Sequence, residues 1–203
     1  TKDLPGATEE GERIKALFDR LGRSVRVVEL PGDAARKQEL LRCFASGEFD
    51  VVHYAGHAFF DRLNPARSGI VCAGREVLSG ADLAGVANLP SLVFFNACEA
   101  ARIRKRQERR APELAVPERV RRNVGFAEAF LRGGVANYVG TYWPVGDAAA
   151  SAFAGSFYER LLAGATLGDA ITSGRQAVHA LPSVDWADYI LYGDPAFVLK
   201  QGA

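Results

Sequence analysis

The feature that most constrains the fold is an unbroken apolar run at residues 92–95, which stops at Asn96. A strand whose apolar residues do not alternate with polar ones is typical of a strand buried on both faces, as in parallel sheets covered by helices on both sides. Two residues further on, between Ala97 and Glu99, the chain carries Cys98. The run therefore predicts a parallel α/β sheet and places a thiol where a buried strand is expected to end.

The rest of the chain alternates strand and helix patterns, as a parallel sheet requires. Further strands are predicted at 24–30, from residue 49 onward, at 68–74, at 135–145 and from residue 189 onward. Helices are predicted at 8–22, 125–134 and 167–181, and three others are expected to begin at the N-capping residues Asp33, Ser79 and Asp147. These elements predict a mostly parallel central sheet flanked by helices.

One segment, 102–122, does not fit this pattern, because it carries nine Arg or Lys residues against three Glu. We expect a single domain over 1–203, with this basic segment as an exposed linker between a larger part, 1–101, and a smaller part, 123–203. A solvated linker and a loop cleaved on activation both fit the segment. Contact with nucleic acid is not expected, because no aromatic residues are interleaved with the charges.

The composition predicts a cytoplasmic protein without a membrane partner. No apolar stretch reaches the roughly 18 residues of a membrane span, and no signal-peptide pattern is present. The cysteines number three, an odd count that favours free thiols in a reducing compartment. The chain contains no methionine, as expected either of a piece of a longer protein or of a chain that has lost its initiator residue.

Chemistry in an open parallel sheet collects at the carboxyl ends of its strands, where this sequence has a thiol and two imidazoles. Cys98 follows one predicted strand, and His53 and His57 lie at the end of another. A thiol and an imidazole on neighbouring strands supply a nucleophile and its proton shuttle. His53 and His57 have the same parity, so strand geometry leaves the choice between them open, although His53 lies deeper in the apolar run and is expected in the core.

The other cysteines and the third histidine are expected to be structural. Cys43 lies on an apolar helix face, Cys72 lies within a strand, and His179 is flanked by apolar helix residues. The chain has no CxxC or HExxH spacing and no phosphate-binding GxxxxGK[ST] loop. No metal and no cofactor are therefore expected.

Six segments in order resemble the CHAT domain, a caspase-like peptidase module of the clan that also holds separases and metacaspases. They are LPGATEE, VVHYAGHA, FFNACEAA, GFAEAFLRGGVANYVGTYWPVGD, FYERLLAGATLGDAI and DWADYILYGDPAF, and they span about residues 4–199. The resemblance implies a caspase-like three-layer α/β sandwich, a Cys–His dyad and hydrolysis of peptide bonds. It also implies that His57 rather than His53 is the catalytic histidine and that Cys98 is the nucleophile.

The resemblance further implies where substrate is bound. The backbone N–H groups of Ala58 and Cys98 would form the oxyanion hole. Ala58 stands where the family usually has glycine, and a positive φ there would cost alanine about 1 kcal/mol or more. Tyr142 and Trp143 match the segment that pairs with an extended substrate, so both are candidates for the walls of a substrate subsite, although Trp143 is equally expected as a core aromatic.

Three residues of this chain are candidates for recognising the substrate residue before the cleaved bond, and the sequence does not rank them. Asn96 is neutral where relatives with basic specificity tend to carry an acid. Asp61 and Asp147 could supply negative charge instead, although Asp147 is also the expected helix cap.

The function predicted from the sequence is that of a cysteine endopeptidase acting on protein or peptide substrates. The family resemblance implies bacterial signalling, defence or cell-death proteolysis, with regulation by a helical-repeat domain or a partner protein. The alternative is a catalytically inactive interaction module that keeps the caspase-like fold, for which Ala58 and the basic segment are the motivation.

Overall fold

The computed structural model describes residues 5–21, 25–59, 61, 63–96, 127–141 and 145–199. Cys98, Tyr142, Trp143 and the basic segment 102–122 lie outside these residues. The elements in chain order are α1 (Pro5–Leu21), α2 (Lys37–Ala45), β1 (Val51–Ala55), β2 (Ala58–Phe59), β3 (Gly69–Val71), β4 (Val77–Ser79), α3 (Gly80–Leu83), β5 (Leu92–Asn96), α4 (127–133), β6 (Asn137–Thr141), α5 (Asp147–Leu162), α6 (Leu167–His179) and β7 (Tyr189–Tyr192).

The central sheet has the strand order β1-β5-β6-β7. β1 and β6 both run parallel to β5, and β7 runs antiparallel to β6. All five residues of β5 are buried, as its unbroken apolar run predicts. A second, three-stranded antiparallel sheet follows the order β2-β3-β4.

Helices cover both faces of the central sheet, so the molecule has the three layers that the sequence predicts. Successive side chains of a strand point to opposite faces, and β5 divides its residues accordingly. Leu92 and Phe94 join a core formed with α1, α5 and α6. Val93 and Phe95 join a second core formed with α2, α3, α4 and the small sheet.

The strand predicted at 24–30 is wrong over the residues that the structure describes. Residues 25–31 form no strand, and Val25 and Val28 are exposed. Val25 and Val27 alternate with polar neighbours as in a half-buried strand, but the segment pairs with no described strand. An extended pattern without a partner strand does not make a sheet.

Of the three predicted N-caps, only Ser79 is confirmed. Its hydroxyl accepts a hydrogen bond from the Asp82 N–H, and the Asp82 side chain accepts one from the Ser79 N–H, which completes a capping box. Asp33 instead lies inside the 3-10 turn Gly32–Ala34, and α2 begins only at Lys37. Asp147 is the first residue of α5, one position after its N-cap, where its charge still complements the helix dipole.

Within the described residues, no helix is both long enough and apolar enough to cross a membrane.

Candidate active site

The register of the two central strands aligns the ends that lead to His57 and Cys98. β1 and β5 pair in parallel with Ala55 opposite Asn96. The Gly56 N–H donates to the Asn96 carbonyl at 3.3 Å, so the pairing continues past the last residue of β1. His57 follows Ala55 by two residues, and Cys98 follows Asn96 by two residues. The two adjacent strands therefore end at the same edge of the sheet, each two residues along the chain before His57 or Cys98.

The backbone at His57 is held in place by two hydrogen bonds. Its carbonyl accepts from the Val71 N–H at 2.9 Å and from the Tyr54 hydroxyl at 2.7 Å. Burial raises the pKa of the Tyr54 phenol, which keeps its proton available for this bond. The half-buried His57 thus lies on a fixed turn between β1 and β2.

Gly56 is required by the close approach of Tyr54. A Cβ atom at position 56 would lie 2.4 Å from the Tyr54 Oη, closer than real Cβ contacts allow. Its φ does not lie in the left-handed region, so the requirement is for space rather than for an unusual backbone conformation.

Substituting Gly56 by alanine is therefore expected to destabilise the fold. Displacing the Tyr54 ring from a packed site costs about 1–3 kcal/mol, and the turn that carries His57 should shift with it. Urea unfolding of the Gly56→Ala variant measures the free energy, with Gly11→Ala, an open helical position on α1, as the control. An unchanged unfolding midpoint in Gly56→Ala would show that the ring is not confined as described.

Ala58 adopts a backbone conformation that alanine tolerates. Outside glycine, the described residues with positive φ are Arg75 and Asn88, so the cost that a left-handed alanine would carry does not arise. Ala58 lies opposite Ile70 in the antiparallel pair of β2 and β3. Because His57 and Val71 form the neighbouring hydrogen-bonded pair, the Ala58 N–H occupies a non-hydrogen-bonded position and points away from β3.

His53 is the hydrogen-bonded core histidine that the sequence predicts. Its Nδ1 lies 2.9 Å from the Tyr158 hydroxyl and its Nε2 lies 2.9 Å from Glu10 Oε1. Its ring stacks on Phe94 with 4.6 Å between the centroids. Since a carboxylate only accepts hydrogen bonds, the proton lies on Nε2, and in neutral His53 the Nδ1 accepts from Tyr158. Burial and the nearby Glu10 raise the pKa of Tyr158, which keeps it a donor.

Glu10 is a residue of this region that the sequence analysis missed. Only 7% of Glu10 is exposed, although it is a charged residue on a helix. Besides His53, it accepts a hydrogen bond from Asn96 Nδ2 at 2.9 Å. Glu10 shares one helical stripe with the buried Ile14 and Leu17, so a carboxylate on the apolar face of α1 was the available signal.

Two of the three candidates for substrate recognition line one small cavity. The cavity has a volume of about 20 Å³, the size of a single water site, and lies between α1, α5 and the ends of β1 and β5. Asn96 and Asp147 both line it, together with Glu10 and Gly6. Asn96 is 1% exposed, and its amide donates to Glu10, so this side chain is engaged inside the fold.

Asp61, the third candidate, has a local structural role. Its Oδ1 accepts hydrogen bonds from the N–H groups of Leu63 and Asn64, each at 2.9 Å. These backbone donors hold the pKa of the Asp61 carboxyl below its usual range. The carboxylate orders the turn before Pro65–Arg67 and is absent from the residues lining the cavity.

The remaining predicted structural residues lie away from this region. Cys43 and Cys72 are buried free thiols, and burial raises the pKa of both. His179 lies on the surface and makes an edge contact with the Trp186 ring, 5.5 Å between centroids. In the part of the chain that the structure describes, no three His, Cys, Asp or Glu residues group as metal ligands would.

The architecture is that of the caspase-like fold. The crystal structure of the Arg-specific cysteine proteinase gingipain R superposes with a TM-score of 0.63 over 95% of this chain, at 15% sequence identity. The match covers 43% of the gingipain chain, less than half its length. This likeness confirms the predicted fold class.

The sequence profile of the CHAT domain matches residues 1–194, and the chain belongs to the CHAT-domain family. No curated protein sequence matches the chain. The family that the six segments indicate is therefore confirmed over nearly the whole chain.

Proposed function

We propose that the chain is a cysteine endopeptidase with Cys98 as nucleophile and His57 as proton shuttle. The observation that carries the proposal is the register of β1 and β5, which aligns Ala55 with Asn96 and so starts the two segments side by side. Membership of a caspase-like family supports it. Nucleophilic catalysis requires a thiol and an imidazole within reach of one another, and two segments that start side by side favour such a pairing.

In the proposed reaction, His57 takes the Cys98 proton and the thiolate attacks the carbonyl carbon of the substrate amide. Collapse of the tetrahedral intermediate breaks the C–N bond, and the imidazolium of His57 gives its proton to the departing amine. A water molecule, deprotonated by His57, then attacks the carbonyl carbon of the resulting thioester. Collapse of this second intermediate breaks the C–S bond and releases the acid, and the His57 imidazolium returns its proton to the Cys98 thiolate. Each step conserves protons between the two side chains, substrate and water, so no cofactor takes part.

The proposed oxyanion hole uses the backbone N–H groups of Ala58 and Cys98. Support for Ala58 comes from its position in β2, where the N–H points away from β3 and is not part of the ladder. An N–H fixed in a strand is a preorganised donor, and removing one such donor typically costs on the order of 10²–10³ in kcat.

Replacing Ala58 with proline tests this donor directly. Proline removes the N–H but breaks no ladder hydrogen bond at a non-hydrogen-bonded position, so kcat should fall on the order of 10²–10³-fold while the fold is retained. Ala58→Gly, which keeps the donor, should retain most of the turnover and serves as the matched comparison. Equal turnover of folded Ala58→Pro and Ala58→Gly would exclude the N–H from the reaction.

The function itself is tested by a cleavage profile on a peptide library derived from a proteome. The wild-type chain is expected to cut peptides at a recurring residue pattern, and the Cys98→Ala chain is expected to cut none. The profile also defines the residue preferred before the cleaved bond, for which Asp61 and Asp147 are the acidic candidates. Identical profiles for both chains would remove the proposal.

A further inference from the structure

Glu10 joins the ends of the two central strands from a third element, helix α1. A single atom, Glu10 Oε1, lies 2.9 Å from His53 Nε2 on β1 and 2.9 Å from Asn96 Nδ2 on β5. His53 precedes His57 by four residues, and Asn96 precedes Cys98 by two. The carboxylate therefore bridges the two strands immediately behind the segments that carry the proposed dyad.

The bridge lies inside the fold. All three side chains are shielded from solvent: Glu10 and Asn96 are buried, and the His53 side chain is 15% exposed. Charge-assisted hydrogen bonds to a carboxylate are short and directional, and a buried one is not weakened by competing water. The Gly56 N–H bond to the Asn96 carbonyl adds a backbone tie at the same level of the sheet.

We infer that Glu10 is a positioning residue of the active site, which fixes the end of β5 through Asn96 and the end of β1 through His53. This rests on the proposed function of Cys98 and His57. It also assigns Asn96 to support of the strand end that precedes the nucleophile, in place of the substrate contact expected from the sequence. The dyad then depends on the docking of α1.

Exchanging the carboxylate and the amide between positions 10 and 96 tests the bridge, because each new side chain has the shape of the one that it replaces. Asn96→Asp alone sets two carboxylates against each other and should lower kcat on the order of 100-fold, the effect of misplacing a catalytic group by about 1 Å. Adding Glu10→Gln keeps the net charge of the wild type and turns the shared acceptor into an amide NH2, which donates to the new carboxylate at position 96 and to His53 Nε2. The His53 proton then lies on Nδ1 and is donated to the Tyr158 hydroxyl, which is 2.9 Å away. The double variant should recover kcat to within about threefold of wild type.

Three further measurements separate positioning from mere stability and from substrate binding. Rates are taken well below each variant's unfolding midpoint, with the best peptide from the library, and KM should change much less than kcat. Glu12→Ala, which removes an exposed carboxylate from the same helix, should behave as wild type. Asn96→Ala leaves the Glu10–His53 contact in place and should lower kcat at least about tenfold. This variant replaces Asn96→Asp in the test if Asn96→Asp does not fold.

The outcomes distinguish this inference from the proposed function. Folded Asn96→Asp with wild-type kcat overturns the bridge, and so does a double variant no faster than Asn96→Asp or a change confined to KM. If wild type cleaves no peptide, the proposed function fails, and the rate of alkylation of Cys98 by iodoacetamide replaces kcat. A slower rate in Asn96→Asp, recovered in the double variant, then supports the bridge; equal rates overturn it.

Discussion

Replacing Cys98 with alanine is expected to lower peptide cleavage by on the order of 10⁴–10⁶-fold, to the level that remains when an enzyme loses its nucleophile. The reason is that neither of the two thiols that the structure describes can take its place. Cys43 and Cys72 are buried, and burial raises the pKa of both, which disfavours their thiolates. Turnover of a library-derived peptide by purified Cys98→Ala protein measures the effect.

The matched control for this variant is Cys43→Ala, which removes a thiol of the same type from a buried helix position. It should cost stability through a small cavity, yet leave the turnover of the folded protein unchanged. If Cys98→Ala retains the wild-type rate, or if Cys43→Ala loses it while folded, the nucleophile has been assigned to the wrong cysteine.

Alanine substitutions of His53, on β1, and of His57, on the turn that follows, should have different effects, one mainly on stability and the other mainly on kcat. His57→Ala is expected to lower kcat by about 10²–10⁴-fold, the usual contribution of a general acid–base group. His53→Ala is expected to lower the free energy of unfolding by about 1–3 kcal/mol, because it removes a buried hydrogen-bond donor to the Glu10 carboxylate. Lost stacking on Phe94 adds to this cost.

Chemical unfolding and peptide turnover, both measured on the same preparations, separate these two effects. His57→Ala should shift the unfolding midpoint much less than His53→Ala does. His53→Phe, which retains an aromatic ring against Phe94 but cannot reach Glu10 with a donor, isolates the hydrogen bond from the packing. Should His53→Ala abolish turnover while folded, and His57→Ala leave it intact, the dyad histidine would be His53.

The central sheet could be predicted because its signals are local. The apolar run before Asn96 specifies a strand buried on both faces, whichever strands surround it, and β5 is such a strand. Ser79 capped its helix as expected because Asp82, three residues later, completes a local hydrogen-bonded box. The strand predicted at 24–30 depended instead on a distant partner strand, and a local stretch rich in valine cannot show whether one exists.

The candidate site was predicted less completely, because it depends on contacts between distant residues. Helical periodicity places Glu10 beside Ile14 and Leu17, but its partners on β1 and β5 follow only from the fold. In the same way, the ring of Tyr54 excludes a side chain at position 56, and no local pattern in the sequence shows this. Whether alanine is strained at position 58 depends on its φ angle, which the sequence does not show. In the structure this φ is not positive.

The measurement that tests the pairing of Cys98 with His57 most directly is the rate at which iodoacetamide alkylates each cysteine of the native protein, followed by mass spectrometry. We predict that Cys98 reacts at least about tenfold faster than Cys43 and Cys72 near neutral pH, because a neighbouring imidazole favours the thiolate, and that His57→Ala removes this advantage. Alkylation of Cys98 at the same rate with and without His57 would contradict the pairing.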